Sequence, residues 1–342
     1  MKKGTGGKIL LSAAAAVVIL AAAVGIGSVS LSPSEIFEIL GHKLFGRALP
    51  EDFDPIRVSI LWEIRLPRSL LAFLAGAALA ASGTVMQSVL KNPLASSYTL
   101  GVSSGASLGA AAVIVSGVTL PVLQMFTLPL AGFASGLATV FLALGFASRI
   151  DRKMENQTVI LVGMVLSLFV NALLTTLTSL SREHLQQLTF WQMGSFSGHG
   201  WPYVGILAVV TAVGLLALCC FTREMDIMTF GEEQAQAVGV NIKRVKFILI
   251  ALAALLTGTT VSFVGVIGFV DLIAPHVVRK VFGSSHRLVL PLSALFGGAF
   301  MALADLISRT VISPSELPVG AVTALVGAPF FAYVYFSRRK KS

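Results

Sequence analysis

The chain is written almost entirely as long runs of apolar residues, and those runs decide what it can fold into. A helix crosses a bilayer with about 20 apolar residues, because the hydrocarbon core is about 30 Å thick and each residue rises about 1.5 Å. Ten runs approach that length, at approximately 8–29, 66–90, 98–117, 126–147, 158–180, 201–221, 245–264, 268–282, 288–310 and 319–336. The eighth is short and contains Pro275, so it reads as kinked or only partly spanning. Only 12% of the 342 residues are charged, whereas a soluble domain carries about 25%. Such a chain cannot cover its surface with polar groups, so lipid must be part of its solvent. No soluble domain fits between the runs, the longest polar insert being 31–63. The expected fold is all-α: a polytopic membrane protein of about ten transmembrane helices in a compact bundle, forming one domain over 1–342.

The net charge of +9 does not mark a nucleic-acid binder, because the cations sit at the edges of apolar runs rather than in a stripe. That placement encodes topology, since cytoplasmic loops collect Lys and Arg. With the N-terminus inside, the inner side holds Lys2, Lys3, Lys8, Lys91, Arg149, Arg152, Lys153, Arg223, Lys243, Arg244, Lys246, Arg279, Lys280, Arg287 and the cations of 338–341. The outer side keeps Lys43, Arg47, Arg57, Arg65, Arg68, Arg182 and Arg309. Both termini and the loop at about 223–244 are then cytoplasmic. The opening "MKKGTGGKILLSAAAAVVILAAAVG" also has the basic start, apolar core and small residues of a signal peptide, though its core is long for that role; cleavage would leave nine spans.

Small residues recur where helices must approach closely. "GVSSGASLG" spaces Gly101, Gly105 and Gly109 four apart, "AFLAGAALAASGT" sets Ala72, Gly76, Ala80 and Thr84 on one ridge, and Gly132 precedes Gly136 by four. In lipid no hydrophobic effect draws helices together, and such ridges supply close packing instead. The expectation is packing within one bundle rather than a dedicated dimer seam. Asp305 lies four before Arg309, so the two can pair on one helix face near its outer end, and Asp271 and His276 flank Pro275. Intramembrane ionisable groups are functional candidates by default. A secondary carrier, the rival reading, should show broken helices with ion ligands at membrane depth; no chain of carboxylates runs through these spans. The adjacent Cys219 and Cys220 read as small buried hydrophobes. No G-x-x-x-x-G-K-[ST] or H-E-x-x-H occurs, so no P-loop, metal site or catalytic residue is expected in this chain.

One polar island remains, "TFGEEQAQAVGVNIKR" from Thr229 to Arg244. Thr229 or Gly231 can begin a helix there, Glu232 and Glu233 favour its first turn, and Gly239 can stop it in a left-handed conformation. About seven residues make a helix too short to persist alone in water. Ala235, Ala237 and Val238 give it a small apolar face, so it needs a surface to dock on. For a cytoplasmic segment of a transporter lacking its own motor, an ATPase is the useful partner.

This segment resembles the coupling loop of ABC import permeases, a short cytoplasmic helix that rests in a cleft of the nucleotide-binding subunit. Five further stretches narrow the resemblance to the FecCD-type family of iron-siderophore, haem and cobalamin permeases. In order they are "RLPRSLLAFLAGAALAASGTVMQSVLKNPLAS", "TLGVSSGASLG", "WQMGSFSG", then, after the coupling loop, "GFVDLIAPHVVRKVFGSSHRLVLPLSALFGG" and "ADLISRTVISPSELPVGAVTALVGAPFF". They run in the family's order from Arg65 to Phe331.

The resemblance implies a permease subunit of the bacterial cytoplasmic membrane, working by alternating access beside a second permease subunit, identical or homologous. Two copies of an ABC ATPase would sit beneath and a substrate-binding protein outside, with ATP and Mg²⁺ on the ATPase and no cofactor in this chain. It implies binding-protein docking at Arg65, Arg68 and Arg309, and ATPase coupling through Gly231, Glu232, Glu233, Ala235 and Gly239. It also implies a cytoplasmic gate at Asn92 and Leu94 of "KNPLAS" and at Asn156. Within the family the implied substrate is a ferric siderophore, with haem and cobalamin as alternatives. His199, in the outer "WQMGSFSGHGW", is a plain loop residue rather than a haem ligand.

Overall fold

The computed structural model describes residues 5–27, 29, 31–50, 53–151 and 153–339, with side chains described between 6 and 333. Lys2, Lys3, Arg152, Lys340 and Lys341, counted above as inner cations, lie outside the described residues. In chain order the helices are α1 (Thr5–Gly25), α2 (Pro33–Phe45) and α3 (Pro55–Ser59), which continues through a π-turn (Ile60–Arg65) into α4 (Leu66–Val89). There follow α5 (Val102–Ser116), α6 (Thr127–Ile150), α7 (Asn156–Leu180), α8 (Leu185–Met193) and α9 (Trp201–Cys219). The remainder are α10 (Thr222–Met228), α11 (Glu232–Ala237), α12 (Ile242–Val264), α13 (Val270–Phe282), α14 (His286–Thr310) and α15 (Val319–Arg339). No strand occurs among the described residues.

Every one of the ten expected runs carries a helix. Seven described helices are long and apolar enough to cross a membrane: α1, the α3–α4 rod, α6, α7, α9, α12 and α14. Val102–Ser116 and Val319–Tyr333 are shorter apolar helices. With 13 residues α13 reaches only about 20 Å, which makes it the partial span that Pro275 suggested. Ten is therefore an approximate count of full crossings.

The π-turn has a local cause. Pro67 has no N–H to offer the carbonyl four residues back, Glu63, and its ring crowds that carbonyl. Widening the helix to the π register relieves both, and the Leu66 N–H bonds to Leu61 O instead. Helix α2 begins with a capping box. Glu35 N–H donates to Ser32 Oγ at 3.3 Å and Ser32 N–H donates to Glu35 Oε2 at 2.7 Å, with Pro33 leading the helix.

Helix α4 is the axis of the bundle. Almost all its side chains from Pro67 to Val89 are buried, and α9, α12, α13 and α14 pack around it. The α4–α14 crossing depends on absent side chains: a Cβ at Gly76 would lie 2.1 Å from the Gly297 carbonyl oxygen. The glycine ridge of α5 likewise meets α6, where a Cβ on Gly105 would sit 2.6 Å from Ser135 O. Both small-residue ridges thus serve packing inside the bundle. The cysteines differ from expectation: α9 ends at the bundle's rim there, leaving Cys219 half-buried and Cys220 exposed, both as free thiols.

Candidate functional site

The three arginines expected at the outer face are together there, but each is turned inward. The π-turn and the start of α4 carry Arg65 and Arg68, and the last turn of α14 carries Arg309. Arg68 uses its whole fork. Nε and Nη2 donate to Asp305 at 2.9–3.1 Å, while Nη1 and Nη2 donate to Glu316 at 2.7 and 3.0 Å. Arg68 and Asp305 are buried, whereas the Glu316 side chain is 38% exposed. Its bonds to Arg68 hold the Glu316 carboxyl below the usual glutamate range, against the opposing effect of burial.

Arg65 and Arg309 seal the end of α1. An α-helix leaves its last four carbonyls without internal partners, with negative charge gathered there. Arg65 donates to Gly25 O at 2.9 Å and also to Val29 O, and Arg309 donates to Ala23 O. The expected Asp305–Arg309 pair is present at 3.7 Å, secondary to the Arg68 contact. Loss of α1 would take the Gly25 carbonyl from Arg65 and the Ala23 carbonyl from Arg309, so α1 is an integral part of the fold.

At the inner face, the turn after α4 carries Asn92 and Leu94. Asn92 folds the turn on itself, accepting from Leu94 N–H at 2.9 Å, and leaves the Leu94 side chain 48% exposed. Two residues on, Ser96 donates to the buried Asp271 carboxylate at the start of α13. A 3₁₀ turn, Ser97–Leu100, then rests on α7, where a Cβ on Gly163 would meet Thr99 O at 2.8 Å. The two expected gate elements, the Asn92 turn and the start of α7 at Asn156, therefore belong to one contiguous packing unit.

The peptide expected to couple to an ATPase folds close to its expected local form. Helix α11 has six residues, Gly231 precedes it at φ 136°, and Gly239 follows at φ 91°. One part of its expected face is corrected: Ala235 is fully buried in the core shared with α10 and α12, so it anchors the helix to this chain. The apolar side chains left free include Ala237, Val238, 67% exposed, and Phe230, 79% exposed. Beside them lies an open concavity of about 530 Å³, lined in part by Phe221, Ile227, Val238 and Arg244. The preceding arm, α10, is tied to α14: Asp226 accepts from His286 N–H at 2.9 Å, from His286 Nδ1 at 2.6 Å and from Ser285 Oγ at 3.3 Å. A carboxylate from another element thus caps the start of α14.

Glu232 makes the contact that unites the inner face. The side chain of Lys246, on the first turns of α12, is fully buried. Its ammonium lies 2.8 Å from Glu232 Oε1, and donates to Asn156 Oδ1 at 2.8 Å and to Met154 O at 3.0 Å. Sequence reading counted Lys246 only as a topological cation. The available signal was slight: Lys246 stands at the very start of the apolar run, behind Lys243 and Arg244, where a cation reads as an ordinary flanking charge. Glu316, Asp226 and Ser96 were missed for a different reason, since their partners lie 248, 60 and 175 residues away. Among the described residues no group of three or more His, Cys, Asp and Glu is arranged to hold a metal ion.

This geometry has known counterparts. The cobalamin import system permease of Halobacterium salinarum is 40% identical over 283 residues, covering 83% of this chain and 75% of its own length. The Fe(3+)-citrate import system permease YfmE of Bacillus subtilis is 34% identical over 335 residues, covering 97% of this chain and 96% of its own. A solved transporter described as of the metal-chelate ABC type, in an inward-facing conformation, superposes with a TM-score of 0.82 at 30% identity, over 97% of this chain and 99% of that one. The model of the FecCD transport family matches residues 15–337, so a chain with ten apolar runs and a docked cytoplasmic helix belongs to that family of ABC importer permeases, as a multi-pass protein of the cytoplasmic membrane.

Proposed function

We propose that residues 1–342 act as one permease domain, which forms half of a translocation pathway and hands substrate from an outer binding protein to the cytoplasm as a separate ATPase drives alternating access. The observation that carries this reading is α11. A six-residue helix is not stable alone, yet here it is pinned at the inner face with Phe230 and Val238 exposed beside a concavity. That is a surface for an ATPase subunit, which would supply ATP and Mg²⁺; this chain carries no catalytic role or cofactor of its own.

A second permease subunit, identical or homologous, fits the exposed face of α7. Asn171, Thr175 and Thr176 are exposed on that span. The threonine hydroxyls are satisfied by the helix's own carbonyls, but an amide such as that of Asn171 facing hydrocarbon is costly. A water-filled path between two subunits removes that cost. Outside, the binding protein meets the Arg65, Arg68 and Arg309 cluster through the rim pair Arg68–Glu316, where an incoming carboxylate takes Glu316's place. Inside, Asn92, Leu94 and Asn156 close the path.

The substrate is a metal chelate. Ferric siderophore is the leading reading, from the family resemblance; cobalamin is the second, favoured by the likeness to the H. salinarum permease. Deleting the gene and following uptake of radiolabelled ferric siderophores, haemin and cobalamin separately tests both. Loss of ferric-chelate uptake alone supports the first reading. Loss of cobalamin or haem uptake moves the substrate and keeps the importer. Unchanged uptake of every chelate in a strain without redundant systems overturns the proposal.

A further inference from the structure

We propose that Lys246 is a strut that carries displacement of α11 to the start of α7, making coupling helix and gate one mechanical body; the inference rests on reading α11 as the ATPase contact. An ammonium has three N–H donors, and here three acceptors on two separate pieces of chain stand around it: Glu232 at the head of α11, and Asn156 at the head of α7 with the Met154 carbonyl in the turn just before it. No donor is left over for water.

The surroundings are built to keep that arrangement. Met154 adopts φ 53°, a left-handed backbone at a non-glycine residue, with its own side chain buried. Such strain persists only where neighbours enforce it. The turn is fixed from its other side by Asp151, which accepts from Lys153 N–H at 2.9 Å and from Glu155 N–H at 2.6 Å. Those bonds, Glu155's foremost, hold the Asp151 carboxyl below the usual aspartate range. Asn241 caps α12 through Arg244 N–H at 3.1 Å, one turn before Lys246.

Stability alone does not call for this choice. A buried ion pair is often no more stabilising than well-packed apolar residues of similar volume, but it does fix geometry. Leucine or methionine would suit the buried position of residue 246. A lysine holds α11 and α7 at a set separation instead. Ala235 keys α11 into the core and Glu232 locks its head to Lys246, so α11 cannot shift without moving Asn156. From Asn156 the packing runs through α7 to the 3₁₀ turn after Leu94, and so to the other gate element.

The test uses the full transporter reconstituted in liposomes with its ATPase and binding protein. Lys246→Met keeps the length of the side chain and removes the donors. It is expected to raise the ATP hydrolysed per substrate delivered about tenfold, in the range of common site–site couplings, with hydrolysis itself persisting. A lesion that was only structural would lower hydrolysis and transport together. Spin labels at Gln236 on α11 and Gln157 on α7 give the second readout. Their separation is expected to stay fixed across nucleotide states in the wild type and to vary in Lys246→Met. Glu232→Ala, at the partly exposed end of the strut, should shift both readouts the same way and guards against misfolding of the buried variant. Wild-type stoichiometry and a fixed separation in both variants overturn the strut. Failure of the wild type to recruit any ATPase overturns the reading of α11, and the strut with it.

Discussion

Arg68 shows how one residue can join a fold to its surface. It holds Asp305 within the bundle and Glu316 at the rim, and the two contacts differ in weight. Removing one partner of a buried pair leaves a charge uncompensated at a cost of about 3–5 kcal/mol, while a partly exposed pair contributes at most about 1 kcal/mol. Arg68→Gln should therefore lower the melting temperature in detergent far more than Glu316→Gln. The same pair of variants separates docking from folding. Freeing Arg68 by Glu316→Gln should tighten association with the binding protein in a salt-sensitive way, and unchanged affinity in reconstituted complexes would falsify the exchange of carboxylates. The acid dependence has a definite sign. Because Glu316 is held below its ordinary value of 4.5, its contribution is complete above that value and is lost as pH falls through the lower folded value. Wild type and Glu316→Gln should converge in stability on acidification. The arginines proposed for docking were legible as exceptions to the topology bias; their inward orientation was not, because Asp305 lies 237 residues from Arg68 and sequence spacing says nothing about such a contact.

At the scale of elements, legibility followed the length of the apolar pattern. Helices α6, α7, α9 and α12 were plain because each fills a bilayer-length run. Helix α2 was not anticipated, since its 13 residues hold no such run, although Ser32, Pro33 and Glu35 spell a capping box. Helix α11 was legible from its glycines and acids, but which of its alanines faced inward was not: a six-residue helix has no period long enough to show a face. Burial of Ala235 sharpens the prediction for this element. A bulky side chain there, as in Ala235→Trp, overpacks the core by about 1–3 kcal/mol, enough to displace so short a helix. Gly239→Val forces a β-branched residue to φ 91° and should loosen the link to α12. Both variants should insert normally yet fail to retain the ATPase on co-purification. Retained ATP-driven uptake in both would remove α11 from the coupling pathway.

In the whole molecule, α4 is the fixed axis, and the functional faces are built at the two ends of the bundle around it. The outer cluster joins α1, α4 and α14, and the inner unit joins α7, α11, α12 and the turn after α4. With the turn proposed as a gate at the inner mouth and Leu94 exposed on it, cysteine at Asn92 should crosslink to its counterpart in the second permease subunit in some nucleotide states and not others. Crosslinking indifferent to nucleotide would argue that the turn is no gate. The sealed end of α1 also sets a schedule for biosynthesis. Ala23 waits for Arg309, which is encoded 286 residues later. At about 5–20 residues per second on the ribosome, the Ala23 carbonyl goes without that partner for roughly 15–60 s, with only Arg65 at the end of the helix. Truncation anywhere before Arg309 leaves the end of the first-made helix sealed by Arg65 alone.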